Sequence, residues 1–351
     1  MSTSRIFLSL AIGFFTAFSA PTTHVCKTGN IVNRNSNQTY SFPSNWNEYQ
    51  SAPHLAPDQS CSWVVTVPMG YYAKLIIDGR INDTMGHFQM IDANGNVVET
   101  QHENKEPYYF PSPKFTLIVN NEAPAKFGFK VIWAQYPNLP SVIAGIGGNP
   151  HLLNITESVR SSAFGSSSHI SLLAFPADPK NTFSLRSVLI FSGIDTNSSY
   201  INNLYELHKK QHQWISPGDG CFVINVEARG VLDKLLVQES SYTENLKPYN
   251  ELNCKANSTC SKKLNGEPGR KSAFVSIDKQ THTLLDVRMD PNATLTIYYG
   301  GITGFGFDQS YDGSTIQSQL PLDFYGGITQ YVISSGPSYF TFHLSDKKAH
   351  N

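Results

Sequence analysis

Short β-forming segments separated by turn residues dominate this sequence of 351 residues. Examples are CSWVVTVP (61–68), KFTLIVN (114–120) and ATLTIYYGG (293–301), and the stretches between such segments are rich in Gly, Pro, Asn and Asp. Strand signals at this spacing are typical of β-sandwiches, so we predict an all-β fold. Helical periodicity is confined to one short helix, predicted within Ile201–Trp214. Asn94–Gly95 predicts a tight hairpin turn, because this pair accepts positive φ angles at little cost.

The order of these segments recurs loosely along the chain. The first and last thirds both contain paired strands, then a strand that ends in a Gly-containing turn, then a closing hairpin, and the middle third contains parts of this order. We therefore predict related β-sandwich modules at residues 26–136, 151–250 and 251–346. The Pro- and Gly-rich residues 137–150 are the predicted linker. The alternative is that residues 151–346 form one module.

The N-terminus has the order of residues that secretory signals share. Met1–Arg5 is short and weakly basic, Ile6–Phe18 is apolar or small throughout, and the small residues that follow fit cleavage after Ser19 or Ala20. We predict a signal peptide at residues 1–20 and a secreted, extracellular protein. No later stretch approaches roughly eighteen uninterrupted apolar residues, so no transmembrane segment is predicted. Membrane association would need a partner.

Charge and composition bear on partners and on modification. The net charge is −1 and no long basic run occurs, so nucleic acid is not a predicted partner. Charged residues make up only 15% of the chain. Glycans could supply the missing solubility, because an exported chain exposes its Asn-x-Ser/Thr sequons to the glycosylation machinery. The predicted glycosylation sites are Asn37, Asn82, Asn154, Asn197, Asn257 and Asn292.

The chain contains five cysteines, and disulfides are the default in an exported protein. Cys26 and Cys61 are alone in the N-terminal third, so we predict that they pair, with a stabilisation of about 3–4 kcal/mol. Cys254 and Cys260 are the preferred second pair, across a short loop. This leaves Cys221 as either a buried free thiol or an intermolecular link.

Catalytic and metal motifs are weak in this sequence. It contains neither a Gly-x-Ser-x-Gly elbow nor a His-Glu-x-x-His motif, so no catalytic residue and no cofactor is predicted. GSSSH (165–169) is interpreted as a polar loop, since adjacent Ser and His do not make a triad. His208 and His212 would share one face of a helix and could share a metal. No third ligand is indicated and lysines surround them, so no metal site is predicted.

The segment FDQSYDGS (307–314) resembles the start of a calcium-binding loop. The required spacing is present at Asp308, Ser310, Asp312 and Gly313. The twelfth position is Gln319 in place of Glu, and flanking helices are not apparent. We predict a turn in a β-protein, without calcium.

Three tryptophans lie in the N-terminal third. Trp63 and Trp133 occur inside apolar runs and are predicted core residues. Trp46 lies between polar residues and before a loop, so its ring is predicted to be exposed, where it could stack on a sugar or anchor a protein contact.

The N-terminal third resembles the nematode CUB-like domain family. The similarity depends on Cys26 and Gly29, on YSFPSNW (40–46), on CSWVVTVPMGYYAKL (61–75) and on KFGFKVIWA (126–134), with the MIDANGN turn between the last two. It covers Cys26 to about Tyr136. The remaining two thirds resemble, with looser motifs, the regions that follow this domain in family members.

The resemblance implies a CUB-type antiparallel β-sandwich, a disulfide between Cys26 and Cys61, secretion, and a place among proteins of innate immune or defence responses. Standard CUB domains also carry a second disulfide and an acidic calcium site with a Tyr-Asp step after a cysteine. The matching stretch here, MGHFQM (85–90), has neither Cys nor Tyr-Asp. Calcium-dependent ligand capture is therefore not predicted.

These features together favour a secreted binding protein without catalytic activity. We expect an effector or adaptor that recognises protein or carbohydrate, including microbial surfaces, through loops at the ends of its sandwiches. The first alternative is a structural glycoprotein of an extracellular coat or lumen, which would self-assemble through Cys221. The second is a hydrolase whose site the known motifs do not capture.

Overall fold

The computed structural model describes residues 23–139, 143–210 and 212–345. These residues form three β-sandwiches of two sheets each, so the predicted fold class, a CUB-type sandwich followed by further β-sandwiches, is confirmed. We call residues 23–139 the first module, residues 143–239 the second and residues 249–345 the third. The signal peptide predicted at residues 1–20 lies outside the described residues, as do residues 140–142 of the predicted linker.

The first module contains twelve strands. Residues alternate between the core and the outer face along them, as the β11 sequence KFTLIVNN illustrates with every second side chain buried. The strands are β1 Thr23–His24, β2 Asn30–Val32, β3 Thr39–Phe42, β4 His54–Leu55, β5 Gln59–Thr66, β6 Tyr71–Arg80, β7 His87–Ile91, β8 Val97–Thr100, β9 His102–Asn104, β10 Tyr108–Pro111, β11 Lys114–Asn121 and β12 Ala125–Gln135.

The second module contains nine strands and the helix α1, Leu204–Lys210. A short 3₁₀ turn, Phe183–Ser187, precedes β17. The strands are β13 Ile143–Ile146, β14 His151–Asn154, β15 Arg160–Ser166, β16 Ile170–Phe175, β17 Val188–Ser192, β18 Ser199–Asn203, β19 Gln213–Ile215, β20 Gly220–Asn225 and β21 Lys234–Glu239.

The third module also contains nine strands, and 3₁₀ turns at Ser240–Tyr242 and Ile316–Gln319 lie before and within it. The strands are β22 Tyr249–Glu251, β23 Thr259–Leu264, β24 Ser272–Ser276, β25 Thr281–Arg288, β26 Thr294–Tyr299, β27 Phe307–Asp312, β28 Leu322–Tyr325, β29 Thr329–Ile333 and β30 Ser338–Ser345.

All three modules share one topology. In each, a five-stranded sheet begins with a parallel pair, which is β2–β5, β13–β15 or β22–β24, and we call this sheet the leading sheet. Its orders are β2-β5-β11-β7-β8, β13-β15-β20-β17-β18 and β22-β24-β29-β26-β27. The opposite sheet, called the trailing sheet, has the corresponding orders β3-β12-β6-β10, β14-β21-β16-β19 and β23-β30-β25-β28. In the first module β1, β4 and β9 extend it.

The modules pack against one another sheet on sheet. On the outer face of the first trailing sheet, Tyr72 and Tyr109 join one buried cluster with Phe191 and Phe222 of the second leading sheet. The next junction repeats this arrangement. Leu173, Phe175 and Leu236 of the second trailing sheet lie in one buried cluster with Tyr249, Val275 and Val332 of the third leading sheet. The six sheets therefore form one series, with a hydrophobic layer at each of the two junctions.

Two local predictions can be compared with the backbone. Asn94–Gly95 occupies the β7–β8 hairpin, where Gly95 has a φ of +80° and Asp92 accepts hydrogen bonds from the following N–H groups. The helix α1 is shorter than the segment Ile201–Trp214 in which it was predicted. The reason is competition from strand pairing, because β18 pairs with β17 before the helix and β19 pairs with β16 after it.

Candidate functional site

A groove of about 810 Å³ opens where the first module meets the second. The end of β6, strand β9 and the loop that follows form its wall from the first module, and Asn181 and Phe183 close it from the second. The volume is typical of pockets that bind small ligands. Polar side chains in the lining include Asp78, Arg80, His102, Asn104, Lys105 and Lys126.

The acidic side chains of the groove are already engaged. Asp78 accepts a hydrogen bond of 2.9 Å from the N–H of Ala52 and lies 3.5 Å from the ammonium group of Lys105. Glu106 lies 2.6 Å from the guanidinium of Arg229. These partners neutralise the carboxylates, so the acids leave little negative charge to repel an anion.

Two positively charged side chains in the groove have no carboxylate partner among the described residues. Arg80 donates from Nε to the amide oxygen of Asn82 at 3.0 Å, and Lys126 lies beside it in the lining. Both side chains are exposed. Within the described part of the chain, neither of them forms an ion pair. With Lys105 offset by Asp78, the net charge that the groove presents is positive, which favours an anionic ligand.

Arg186 fastens the groove's two walls together. It lies on the 3₁₀ turn of the second module and is only 3% exposed. Its guanidinium stacks 3.8 Å from the ring centroid of Tyr108 and 4.2 Å from that of Phe183. It also lies 3.4 Å from Glu103, which accepts a hydrogen bond from the Tyr108 hydroxyl. A buried cation held by aromatic rings and a carboxylate gives the junction a fixed geometry.

Glu227 forms a second set of polar contacts across the same junction. Its carboxylate accepts hydrogen bonds of 2.6 Å from Lys74 and from the Tyr109 hydroxyl. Burial raises the pKa of Glu227, but the bonds from Lys74 and Tyr109 outweigh burial and the net pKa is lowered. Arg186 and Glu227 could not be predicted from the sequence, because the oppositely charged partner of each lies more than 80 residues away along the chain.

Trp46 is buried, so its predicted exposure is wrong. The side chain is 5% exposed and its ring lies over Gly128 of β12. A Cβ atom at Gly128 would come within 3.0 Å of the ring, so the absence of a side chain there creates the space that Trp46 fills. Trp63 and Trp133 lie in the core of the first module, each 1% exposed. None of these three rings is available to stack on a sugar.

The candidate nucleophile and calcium segments have ordinary structural roles. Ser167 and Ser168 donate hydrogen bonds to Glu239, and His169 is exposed. In the segment 307–314, predicted as a turn, residues 307–312 form the edge strand β27 and only the last two residues lie in a turn. An extended strand holds Asp308 and Asp312 too far apart to surround one ion, since each residue adds about 3.3 Å.

The cysteines form two disulfides and leave one free thiol. Cys26 is joined to Cys61 and Cys254 to Cys260. Cys221 lies in the core of the second module with 0% exposure, and burial raises the pKa of its thiol to about 12. A thiol that is buried and protonated is unreactive, so an intermolecular link through Cys221 is incompatible with this fold.

The six sequon asparagines are all exposed, and each module carries two of them. They are Asn37, Asn82, Asn154, Asn197, Asn257 and Asn292. Asn82 lies next to the groove, where it accepts the hydrogen bond from Arg80.

The structure brings His208 and His212 together with a third residue that the sequence did not indicate. Glu251, at the end of β22, places one carboxylate oxygen 2.7 Å from Nδ1 of His212 and the other 4.0 Å from Nε2 of His208. Burial lowers the pKa of His208, whereas the hydrogen bond with Glu251 raises the pKa of His212.

Three family models match this chain, one for each module. Residues 22–137 match the CUB-like domain, residues 148–226 match a domain of unknown function (DUF7592) and residues 241–345 match another (DUF7591). The first module is thus similar to an extracellular binding module, which agrees with the disulfides. No curated protein matches the chain.

Among solved structures, the chain is similar to the CUB1-EGF-CUB2 domains of rat MASP-1 (8% identity, 62% of this chain and 100% of that chain, TM-score 0.23). It is also similar to the full extracellular region of zebrafish Gpr126/Adgrg6 (9% identity, 92% of this chain and 53% of that chain, TM-score 0.25). At TM-scores this low, neither likeness adds to the description of the fold. Among the described residues, no helix is long and apolar enough to cross a membrane.

Proposed function

We propose that this protein is a secreted binding protein without catalytic activity, and that the groove between the first and second modules receives an acidic carbohydrate. The observation that carries the proposal is the pair of unpaired cations, Arg80 and Lys126, in a groove whose carboxylates are neutralised. The similarity of the first module to CUB-like domains supports a binding role outside the cell.

The other lining groups favour a sugar over an acidic peptide. Asn104 and Asn181 offer amide groups that donate and accept hydrogen bonds, which matches the hydroxyl groups of a sugar. Phe183 is 36% exposed and supplies an aromatic surface in the same wall. A carboxylate-bearing sugar would use the cations for its acid group and the amides for its hydroxyls.

A role in defence is part of the proposal and rests on the resemblance to the nematode CUB-like family. Uronic or sialic acids on microbial surface polymers would be ligands of the proposed chemistry. The carboxylates of the groove argue against hydrolysis, because Glu103 and Glu106 are held by Arg186 and Arg229 and neither is free to act on a sugar.

The test is binding of the purified, glycosylated protein to an array of acidic and neutral glycans. We expect a preference for carboxylate-bearing glycans that weakens as salt rises. Arg80→Glu combined with Lys126→Glu should reduce binding at least tenfold. The matched control is Lys262→Glu combined with Lys263→Glu, which makes the same charge change on β23 of the third module. Equal binding of acidic and neutral glycans, or equal losses in the two double variants, would contradict the proposal.

A further inference from the structure

His208, His212 and Glu251 form a compact cluster of metal-binding side chains. One nitrogen of each imidazole and one oxygen of the carboxylate all lie within 4.8 Å of one another. The two imidazole rings are perpendicular, with centroids 5.2 Å apart. The cluster shares no residue with the lining of the groove.

The ligand set and its spacing suit Zn²⁺. Two imidazoles and one carboxylate are ligands that Zn²⁺ accepts at bond lengths near 2.0–2.2 Å, and tetrahedral bonds of that length separate the ligand atoms by about 3.3 Å. The separations from Glu251 oxygens are 2.7 Å to His212 and 4.0 Å to His208. Movements of less than about 1 Å would therefore place these atoms around an ion.

The partial burial of the three side chains is also compatible with a bound ion. The side chains of His208 and Glu251 are each 13% exposed, whereas that of His212 is 48% exposed. An ion can thus reach the cluster past His212 and lose most of its water on the other side. Nδ1 of His208 is buried without a hydrogen-bond partner among the described residues, so hydrogen bonding within the protein does not account for the orientation of this ring.

The three side chains come from two modules. His208 lies on α1 and His212 follows it in the second module, while Glu251 lies on β22, the first strand of the third. An ion bound to all three would join the modules at the edge of their hydrophobic junction. We propose that His208, His212 and Glu251 bind a divalent transition-metal ion, with Zn²⁺ the best fit, and that the ion clamps the second module to the third.

The same side chains could instead be a simple ion pair between His212 and Glu251. The two cases differ in what His212→Arg does. Arginine keeps a positive partner for Glu251 but cannot bind a metal as imidazole does. A clamp made by a metal would be lost in this variant, whereas an ion pair would be retained.

The experiment is a Co²⁺ titration of metal-stripped protein, followed by Zn²⁺ competition. We expect the visible absorption of tetrahedral Co²⁺, displacement of Co²⁺ by Zn²⁺, and a higher melting temperature with Zn²⁺ than with a chelator. His208→Gln and His212→Arg should each weaken Zn²⁺ binding at least 100-fold and abolish the rise in melting temperature. His169→Gln, an exposed histidine of the same module, is the matched control and should change neither.

The proposed carbohydrate binding does not depend on this ion, so either proposal can fail alone. The clamp is overturned if the wild-type protein gives no Co²⁺ absorption and no Zn²⁺-dependent rise in melting temperature. It is also overturned if His169→Gln weakens Zn²⁺ binding as much as His208→Gln does.

Discussion

The trailing sheets of the second and third modules have the same strand order. Their outer surfaces differ in polarity and in burial. In the second module, Leu173 and Leu236 point outward from the sheet and are buried beneath the third module. In the third module, the side chains that point outward include Lys263, Thr341 and Arg288, which are exposed or half-buried. The strand order is therefore the same in both sheets, and the outward-pointing side chains distinguish the sheet that another module covers from the one that none of the described residues cover.

The largest expected effect on stability comes from placing a charged side chain on the outer face of the second trailing sheet. Leu236→Asp would bury a carboxylate without a partner in the junction, and we expect it to lower the free energy of unfolding by about 4–5 kcal/mol. The matched change, Thr341→Asp on the third trailing sheet, should cost about 1 kcal/mol or less. Denaturant unfolding measures both. Similar costs for the two variants would show that the second trailing sheet is not buried by the third module.

The next largest effect is a pH dependence of stability, which we expect from the core of the third module and not from that of the second. The core cluster of the second module is formed by apolar residues. In the third module, His282 lies beside the core and is 1% exposed. Its ring nitrogens lie within hydrogen-bond distance of the hydroxyls of Tyr331 and Ser276. Burial lowers the pKa of His282 from 6.5 to about 4. Between these two pH values the unfolded chain binds a proton that the folded chain does not, so stability falls as the pH falls.

The loss should approach about 3 kcal/mol near pH 4 and level off below it. We expect hydrogen exchange at pH 5 to show opening of the third module before the second. His282→Gln removes the titrating group and should flatten the part of the pH dependence that lies between pH 4 and 6.5. A wild-type protein with the same stability at pH 7 and pH 4.5 would falsify this account.

A smaller effect tests the first trailing sheet, part of which Trp46 covers in place of a neighbouring module. Gly128→Ala would press a methyl group against the Trp46 ring, and we expect a loss of about 1–3 kcal/mol with a change in tryptophan fluorescence. Gly145→Ala on β13 is the control, because the space around an added Cβ is open there. If the two variants are equally stable, Trp46 does not depend on the space over Gly128.

The smallest effect compares an ion pair at a junction with one on the terminal module. Lys74 and Glu227 are 23% and 32% exposed, whereas Arg270 and Glu267 are 61% and 65% exposed. Double-mutant cycles should give a coupling of about 1 kcal/mol for the junction pair and about 0.3 kcal/mol for the exposed pair. A junction coupling no larger than that of the exposed pair would mean that these charges do not help to fasten the modules.

The all-β fold could be predicted because strand and turn signals are local, and the Asn94–Gly95 hairpin depends on only a few residues. The groove could not be predicted, since Arg80 and Phe183 are about 100 residues apart and meet only after two sheets pack. Glu251 was missed as a neighbour of the two histidines for the same reason. Trp46 was predicted incorrectly because its polar neighbours dominate the local sequence, while the space that it fills is created by Gly128 on a distant strand.

The sheet-on-sheet junctions give the molecule the character of a spacer. Stacked sheets lie about 10 Å apart, so six sheets in series hold the two terminal faces roughly 50 Å from each other. Because Arg186 and Glu227 fix the first junction and hydrophobic side chains fill both, the distance does not depend on a flexible tether. A ligand bound in the groove would therefore lie at a fixed distance from the polar outer face of the third module.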